Sequence, residues 1–172
     1  MTQAEQQGVA IVTGASQGIG RATAVRLARD FQSIVLVARN RDRLEETAAA
    51  VREAGAEALV IDIDLADKAA AAQVVVWTLA RFGRIDAVLH GAGVIEDKRI
   101  ADKTEESFDR VYDTKVDSAC VLSRRLRLDS LKLLAFFTSV AGRFGNVGQG
   151  DYGAANETLN RLAWKLHHEW PG

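Results

Sequence analysis

The stretch GVAIVTGASQGIG, residues 8–20, is the strongest indication of the fold of this chain. Residues 8–13 form an apolar run of strand length, and the residues after Gly20 have a helical pattern. Gly14, Gly18 and Gly20 stand between the two. Glycine permits a tight turn and close backbone approach, while the start of a helix offers free N–H groups to a pyrophosphate. The stretch therefore predicts a strand–turn–helix unit that binds a dinucleotide, the alternative being glycines that only shape a turn.

Strand and helix patterns alternate along the rest of the chain. Four more short apolar runs occur, at residues 33–38, 57–63, 85–90 and 131–137, and each is followed by a helical segment. The runs are apolar throughout rather than alternating, which predicts strands buried on both faces. Repeated βαβ units predict an α/β fold with a Rossmann-like, doubly wound parallel sheet. We expect one domain over residues 1–172.

Composition excludes several classes of function. Hydrophobic residues make up 48% of the 172 residues, charged residues 26%, and the formal net charge is −1, which indicates a soluble protein with no nucleic-acid or membrane partner. Cys120 is the single cysteine, so an intramolecular disulfide and a CxxC metal site are excluded, and no metal site is predicted. No apolar run approaches the roughly 20 residues of a membrane span. Residues 1–7 lack the apolar core of a signal peptide, so we expect a cytoplasmic protein.

Arg39 follows the second predicted strand, where the ribose of a dinucleotide is usually read. An acidic residue there would bond the 2′-hydroxyl of NAD and repel a 2′-phosphate. A guanidinium can instead hold a phosphate through two charged hydrogen bonds, and Arg41 and Arg43 lie just behind. The pattern predicts NADPH over NADH, the alternative being a solvated arginine at the entry of a helix. Asp64, after the third strand, could accept from the adenine amino group or cap a helix.

A second informative stretch is SVAGRFGNVGQGDYGAAN, residues 139–156. Ser139 comes just after the fifth apolar run, and a glycine-rich loop leads to Tyr152 and Asn156, which share one face of a predicted helix. The unperturbed pKa of tyrosine is about 10. Proton transfer by a tyrosine near neutral pH therefore needs a nearby cation and hydrogen bonds. The alternative is a strand–loop–helix corner without catalytic function.

TGASQGIG (13–20), HGAG (90–93), Ser139 and the helix led by Tyr152 resemble the short-chain dehydrogenase/reductase family over essentially the whole chain. In that family the tyrosine exchanges a proton with the substrate oxygen, and the serine hydrogen-bonds that oxygen. A lysine binds the nicotinamide ribose and lowers the pKa of the tyrosine, and an asparagine supports a relay water. The resemblance implies a cofactor site made of Gly14, Ser16, Gln17, Gly18, Ile19, Gly20, Arg39, Asp64, Leu65, Gly91, Ala92 and Gly93.

One departure from the family pattern is informative. The usual Tyr-x-x-x-Lys is here Tyr152-Gly-Ala-Ala-Asn156, and a lysine stands instead at Lys115, where most members carry the asparagine. The exchange resembles the ketoreductase domains of polyketide synthases and of multifunctional fatty-acid synthases. It implies a catalytic tetrad of Ser139, Tyr152, Lys115 and Asn156, in which Lys115 reaches the site from the preceding helix. Taken singly, a surface lysine and a helix-face amide are the alternatives.

The resemblance implies an NADPH-dependent ketoreductase that reduces a 3-oxoacyl thioester, either a small molecule or one bound to a carrier protein. A stand-alone alcohol or ketone dehydrogenase and a non-catalytic nucleotide-binding domain are the alternatives. Family members usually continue past the tyrosine helix with a strand, a substrate lid and a further strand. We therefore expect that this chain is truncated there, and that the protein is a homo-oligomer or a domain of a larger synthase.

Overall fold

A computed structural model describes residues 8–127 and 129–170, so the predicted absence of a signal peptide in residues 1–7 lies outside the described part. Five parallel strands form one sheet in the order β3-β2-β1-β4-β5. The strands are β1 (Val9–Thr13), β2 (Ser33–Ala38), β3 (Glu57–Asp62), β4 (Ala87–His90) and β5 (Leu133–Phe136). The predicted Rossmann-like α/β fold is confirmed.

Helices connect the strands and cover both faces of the sheet. They are α1 (Gly18–Leu27), α2 (Arg41–Glu53), α3 (Ala70–Phe82), α4 (Glu105–Arg125), α5 (Ala141–Phe144) and α6 (Gly150–Glu169), with a short 3-10 helix at Ile100–Asp102. Thr104 caps α4 by accepting from Ser107 N, as its position before the helix predicts. In the described part of the chain, no helix has both the length and the hydrophobicity that crossing a membrane requires.

The two faces of the sheet carry separate hydrophobic cores. Val9 and Ile11 of β1 pack into the core that contains α3, whereas Ala10 and Val12 pack into the core that contains α1 and α2. Alternate residues of a strand point to opposite faces, so one short apolar run supplies both cores. The central strands β1, β2 and β4 are buried almost throughout.

Two expectations about the second half of the chain are wrong. The fifth apolar run was expected to be a strand buried on both faces, but β5 lies at the edge of the sheet and Leu133 is 45% exposed. β3, at the other edge, is also only partly buried, so the two strands with a single neighbour are the ones that fall short of full burial. The segment between Ser139 and Tyr152 is also more ordered than a glycine-rich loop, since it contains the helical turn α5.

The order of the strands places a crevice above β1. The chain crosses from β1 to β2 and β3 on one side, and returns to β4 and β5 on the other. Ligands of open α/β sheets bind where the strand order reverses, outside the carboxyl ends of the strands. The loops that follow β1 and β4 meet at this point.

Candidate active site

The loop between β1 and α1 packs directly on the loop that follows β4. A Cβ atom on Gly14 would lie 2.6 Å from the carbonyl oxygen of Gly91, and one on Gly20 would lie 2.2 Å from the carbonyl oxygen of Gly14. Neither position can hold a side chain without moving the backbone. At Gly18, where φ is +56°, an added Cβ would meet no atom within 4 Å. The loop is thus tight toward the protein and open on the side where a ligand would lie.

A cleft of about 660 Å³ runs along the carboxyl ends of β1 to β4. All twelve residues predicted to bind the cofactor line it: Gly14, Ser16, Gln17, Gly18, Ile19, Gly20, Arg39, Asp64, Leu65, Gly91, Ala92 and Gly93. The side chain of Gln17, at the N-cap position of α1, makes no capping hydrogen bond, and the first turn carries no acidic residue. Free N–H groups and the positive end of the helix dipole fit a pyrophosphate here.

Basic side chains gather where the cleft passes the end of β2. Arg39 is half exposed, and its Nη1 lies 3.9 Å from Oδ2 of Asp64. Arg43 on α2 also lines the cleft and donates to Oε1 of Gln17, whereas Arg41 is paired with Asp62 at 2.9 Å. Two guanidinium groups therefore lie at the position predicted to read the ribose.

Asp64 does not cap a helix, which was one of its two predicted alternatives, because α3 begins at Ala70 with Ala69 at its N-cap. Its Oδ1 instead accepts from Ala66 N at 3.1 Å, which forms a local side-chain turn. The same side chain lines the cleft. A contact to adenine stays a prediction.

A fully buried hydrogen-bond chain connects the floor of the cleft to α4. Thr13 Oγ1 accepts from Gly91 N and Ala92 N, both at 3.0 Å, and therefore donates its own proton to His90 Nδ1 at 2.9 Å. Nε2 of His90 then carries the ring proton and donates to the carbonyl oxygen of Lys115 at 3.1 Å. Burial, together with the charge of Lys115, lowers the pKa of His90 to about 4. His90 is thus a neutral connector beneath the cleft.

Lys115 enters the site from α4 and is only 4% exposed. Its Nζ donates to the carbonyl oxygen of Phe137 at 2.9 Å and lies 5.7 Å from the centre of the Tyr152 ring. Gly93 makes room for the side chain, because a Cβ there would lie 3.1 Å from Cε of Lys115. Burial lowers the pKa of Lys115 to about 8. The alternative of a surface lysine is therefore wrong.

Asn156 is fully buried one helical turn beyond Tyr152. Its Nδ2 donates to the carbonyl oxygen of Tyr152 at 2.6 Å, while its Oδ1 is buried without a hydrogen-bond partner among the described residues. Buried polar atoms are rarely left unpaired, and such an atom often indicates a site for a water or ligand. Asn156 is therefore more than an amide on the solvent face of a helix.

Ser139 is less directly connected to the other three residues. Its Oγ accepts from Ala141 N at 3.2 Å and so caps the short helix α5, which packs tightly on α6. Within the described part of the chain, the hydroxyl of Tyr152 makes no hydrogen bond, to Ser139 or to any other residue. The structure places Lys115 beside the Tyr152 ring and Asn156 against the Tyr152 backbone, and it leaves Ser139 at the start of the neighbouring turn.

The four tetrad residues lie beside the cleft rather than in its lining. The lining ends at Gly93, Val94, Ile95 and Thr114, and Gly93 packs against the side chain of Lys115. The predicted cofactor site and the predicted tetrad are thus adjacent. Among the described residues, no group of three His, Cys, Asp or Glu side chains could hold a metal ion.

Two charged residues next to the site were not predicted from the sequence. Asp151 directly precedes Tyr152, and its carboxylate pairs in a buried position with Lys103, from the loop before α4. The only signal in the sequence was an acidic residue adjacent to the tyrosine. Its partner is 48 residues away, so the pair could not be predicted.

Comparison with known proteins identifies the family. Residues 8–169 match the model of the KR domain. The chain is 35% identical over 158 residues to the short-chain reductase protein NovJ of Streptomyces niveus, covering 90% of this chain and 60% of that protein. It is 35% identical over 161 residues to the phenolphthiocerol synthesis polyketide synthase type I Pks15/1 of Mycobacterium bovis, covering 91% of this chain and 8% of that protein.

Solved structures agree with this result. The N-terminal ketoreductase from the macrolactin assembly line superposes with a TM-score of 0.90 at 27% identity, over 97% of this chain and 35% of that one. The chain therefore spans only part of the relatives that it matches. Its fold and its glycine loop fit a nicotinamide cofactor, which proteins of this fold bind. The chain belongs to the KR domain family of short-chain dehydrogenases/reductases, as a ketoreductase domain of the polyketide-synthase type.

Proposed function

We propose that this chain is an NADPH-dependent ketoreductase that converts a 3-oxoacyl thioester, bound to a carrier protein, into a 3-hydroxyacyl thioester. The observation that carries the proposal is the position of Lys115. Its buried ammonium group reaches Tyr152 from α4, between the cofactor loop at Gly93 and the end of β5. A lysine held in this way supplies the charge that the sequence lacks four residues after Tyr152.

The residues of the cleft would hold the cofactor in an extended position. The glycine loop and the N-terminus of α1 would bind the pyrophosphate, and Arg39 with Arg43 would bind the 2′-phosphate. When bound, the nicotinamide supplies the hydride that reduces the ketone. The cluster of arginines at the end of β2 supports NADPH over NADH.

The tetrad residues supply the proton that the carbonyl oxygen of the substrate receives. Tyr152 donates its phenolic proton to the carbonyl oxygen as that oxygen becomes an alcohol, and Ser139 orients the oxygen by a hydrogen bond. The positive charge of Lys115 stabilises the phenolate left behind. The unpaired Oδ1 of Asn156 is available to a water that returns a proton from solvent. Solvent thus restores Tyr152 for the next turnover.

Exposed apolar side chains beside the tetrad support an acyl substrate. Val140, Phe144 and Val147 are all strongly exposed on the segment between Ser139 and Tyr152, with Val147 91% exposed. Ile100 is also exposed and lies against Gly150, two residues before Tyr152. A hydrocarbon chain would cover this surface when its carbonyl group reaches the tetrad.

The relatives indicate which kind of protein this chain could belong to. Pks15/1 is a large synthase of which this chain matches 8%, so we propose that residues 1–172 belong to a reductase domain of a larger cytoplasmic synthase. NovJ, a short-chain reductase of which the chain covers 60%, supports a stand-alone reductase as the second candidate. A homo-oligomer is compatible with either.

Turnover assays distinguish the candidates. The full-length protein is mixed with NADPH and an acetoacetyl thioester, and NADPH oxidation is followed by absorbance. Turnover with the thioester supports the proposal. Turnover with simple ketones alone would favour a stand-alone reductase of another substrate, and binding of NADPH without turnover of any ketone would favour a non-catalytic domain.

Arg39 provides the test of cofactor preference. Loss of a charged hydrogen bond to a phosphate costs about 1.5–3 kcal/mol, so Arg39→Ala should weaken NADPH binding about 10- to 100-fold and leave NADH binding nearly unchanged. Arg41→Ala is the matched control, because Arg41 is paired with Asp62. Dissociation constants for both cofactors measure the preference, and an unchanged NADPH/NADH ratio in Arg39→Ala would refute this part of the proposal.

A further inference from the structure

An ion pair is buried directly behind Tyr152. Nζ of Lys103 lies 2.6 Å from Oδ2 of Asp151, and the two side chains are 1% and 2% exposed. Lys103 also donates to the carbonyl oxygen of Glu96 at 2.6 Å. Oδ1 of Asp151 accepts from the backbone N–H of Tyr152 at 2.8 Å. The carboxylate thus connects the main chain of Tyr152 to a lysine on another segment.

The far side of the pair is itself anchored. Glu96 follows β4 in the chain, and its carboxylate accepts from Ser107 Oγ at 2.7 Å and lies 3.5 Å from Nε of Arg110. Ser107 and Arg110 both belong to α4, the helix that carries Lys115. The network therefore holds the first turn of α6 in a fixed relation to α4. These are the two helices that bring Tyr152 and Lys115 together.

The first turn of α6 has no side-chain cap from its own N-cap residue. Gln149 makes no capping bond, although its Nε2 donates to Oδ2 of Asp97 at 3.0 Å. Gly150 and Gly153 lie on either side of Tyr152, and glycine within a helix costs roughly 1 kcal/mol relative to alanine. The bond from Asp151 therefore supplies the side-chain acceptor that Gln149 does not provide for this turn.

Stability alone gives no reason for a buried pair of charges. Removing two charges from water is costly, and replacing a buried ion pair by apolar residues of similar size is often neutral or stabilising. A charged pair differs from an apolar pair in that its hydrogen bonds are directional, so they fix the orientation of the two groups as well as their distance. Here that direction is toward the N–H group of Tyr152 and the carbonyl group of Glu96.

We propose that Lys103 and Asp151 are positioning residues for Tyr152, which hold the phenol at its working distance from Lys115. This inference rests on the proposed function, because it assigns the pair to the step that Tyr152 performs. Neither residue touches the substrate. Displacement of a reacting group by about 1 Å can cost about 100-fold in rate, so the expected effect is on kcat.

The experiment separates positioning from stability. Lys103→Met/Asp151→Leu replaces the pair by apolar side chains of similar size. For each variant of the full-length protein we would measure the urea midpoint of unfolding, the Kd for NADPH, and kcat and KM for an acetoacetyl thioester. We expect a midpoint close to that of wild type, an NADPH Kd within about twofold, and a kcat reduced about 10- to 100-fold. A folded double variant that keeps the kcat of wild type would overturn the inference.

Single variants keep the inference testable if the double variant does not fold. Lys103→Arg keeps the charge and hydrogen bonds and should retain more kcat than Lys103→Met, whereas equal kcat in the two would contradict positioning. Asp151→Asn should lower both stability and kcat. Its matched control is Asp86→Asn, since Asp86 is a buried carboxylate that is also ion-paired and bonded to a backbone N–H, but it lies at the amino end of β4, away from the site. The control should lower stability alone.

Failure of the two proposals can be told apart. A wild-type protein that reduces no ketone refutes the proposed function. An active wild type whose Asp151→Asn and Asp86→Asn variants lose kcat equally refutes only the positioning role.

Discussion

The burial of His90 should make the stability of this protein depend on pH. The side chain is fully buried, and both ring nitrogens are used, Nδ1 toward Thr13 and Nε2 toward the carbonyl oxygen of Lys115. Protonation would place a second hydrogen between Nδ1 and the Thr13 hydroxyl, next to the charge of Lys115. The native state therefore resists protonation, whereas the unfolded chain takes up the proton freely.

The size of the effect follows from the two pKa values. The pKa of His90 falls from 6.5 to about 4 on folding. Each pKa unit is worth about 1.4 kcal/mol, so the unfolded state gains about 3 kcal/mol relative to the native state over this interval. Because the folded pKa is lowered, the stabilisation that depends on neutral His90 is complete above pH 6.5, decreases as the pH drops through 6.5, and stops decreasing near pH 4.

Urea unfolding at a series of pH values measures this dependence. Wild type should lose about 2–3 kcal/mol of unfolding free energy between neutral pH and pH 4.5. His90→Asn should be less stable at neutral pH but lose much less on acidification, so that the two proteins converge. His167→Asn removes an exposed histidine and should keep the wild-type slope. Parallel curves for wild type and His90→Asn would show that His90 does not cause this pH dependence.

Two further substitutions test other parts of the structure. Gly20→Ala should abolish binding of the nicotinamide cofactor, because the new Cβ would lie 2.2 Å from Gly14 O, whereas Gly150→Ala, whose nearest contact would be 3.8 Å, should leave cofactor affinity unchanged in calorimetry. Asp86→Asn should cost about 1–3 kcal/mol of unfolding free energy at neutral pH, since the carboxylate accepts from Arg84 and Val9 N. Burial opposes ionisation of Asp86, but these bonds hold its pKa below the ordinary value of 3.8. The loss of unfolding free energy in Asp86→Asn relative to wild type should therefore become smaller only as the pH falls below about 3.8.

Features that depend on neighbouring residues in the chain could be predicted from the sequence. Gly14, Gly18 and Gly20 follow an apolar strand and open a helix, and the tight turn that they form is a property of neighbouring residues. The twelve residues expected around the cofactor all line one cleft. Each of them follows a parallel strand, and the carboxyl ends of parallel strands lie side by side along the same end of the sheet. Their contacts with a cofactor stay predictions.

What depends on the crossing of distant segments could not be predicted. Lys103 and Asp151 meet because the loop before α4 passes the start of α6, and nothing local to either residue indicates the other. The exposure of β5 was mispredicted for a related reason, since an apolar run does not reveal whether its strand has one neighbour or two. The position of Lys115 was expected from a resemblance alone. Its contact with the Tyr152 ring follows from the packing of α4 on α6.

We propose that Lys115 supplies, from α4, the charge on which the function of Tyr152 depends. The most direct test is the rate of NADPH oxidation with an acetoacetyl thioester, compared between wild type and Lys115→Met at saturating cofactor. We predict that wild type turns over and that Lys115→Met loses about 100-fold or more in kcat, as expected when an electrostatic group at the reacting centre is removed. A variant that folds, binds NADPH and retains the wild-type rate would show that Tyr152 does not depend on this charge.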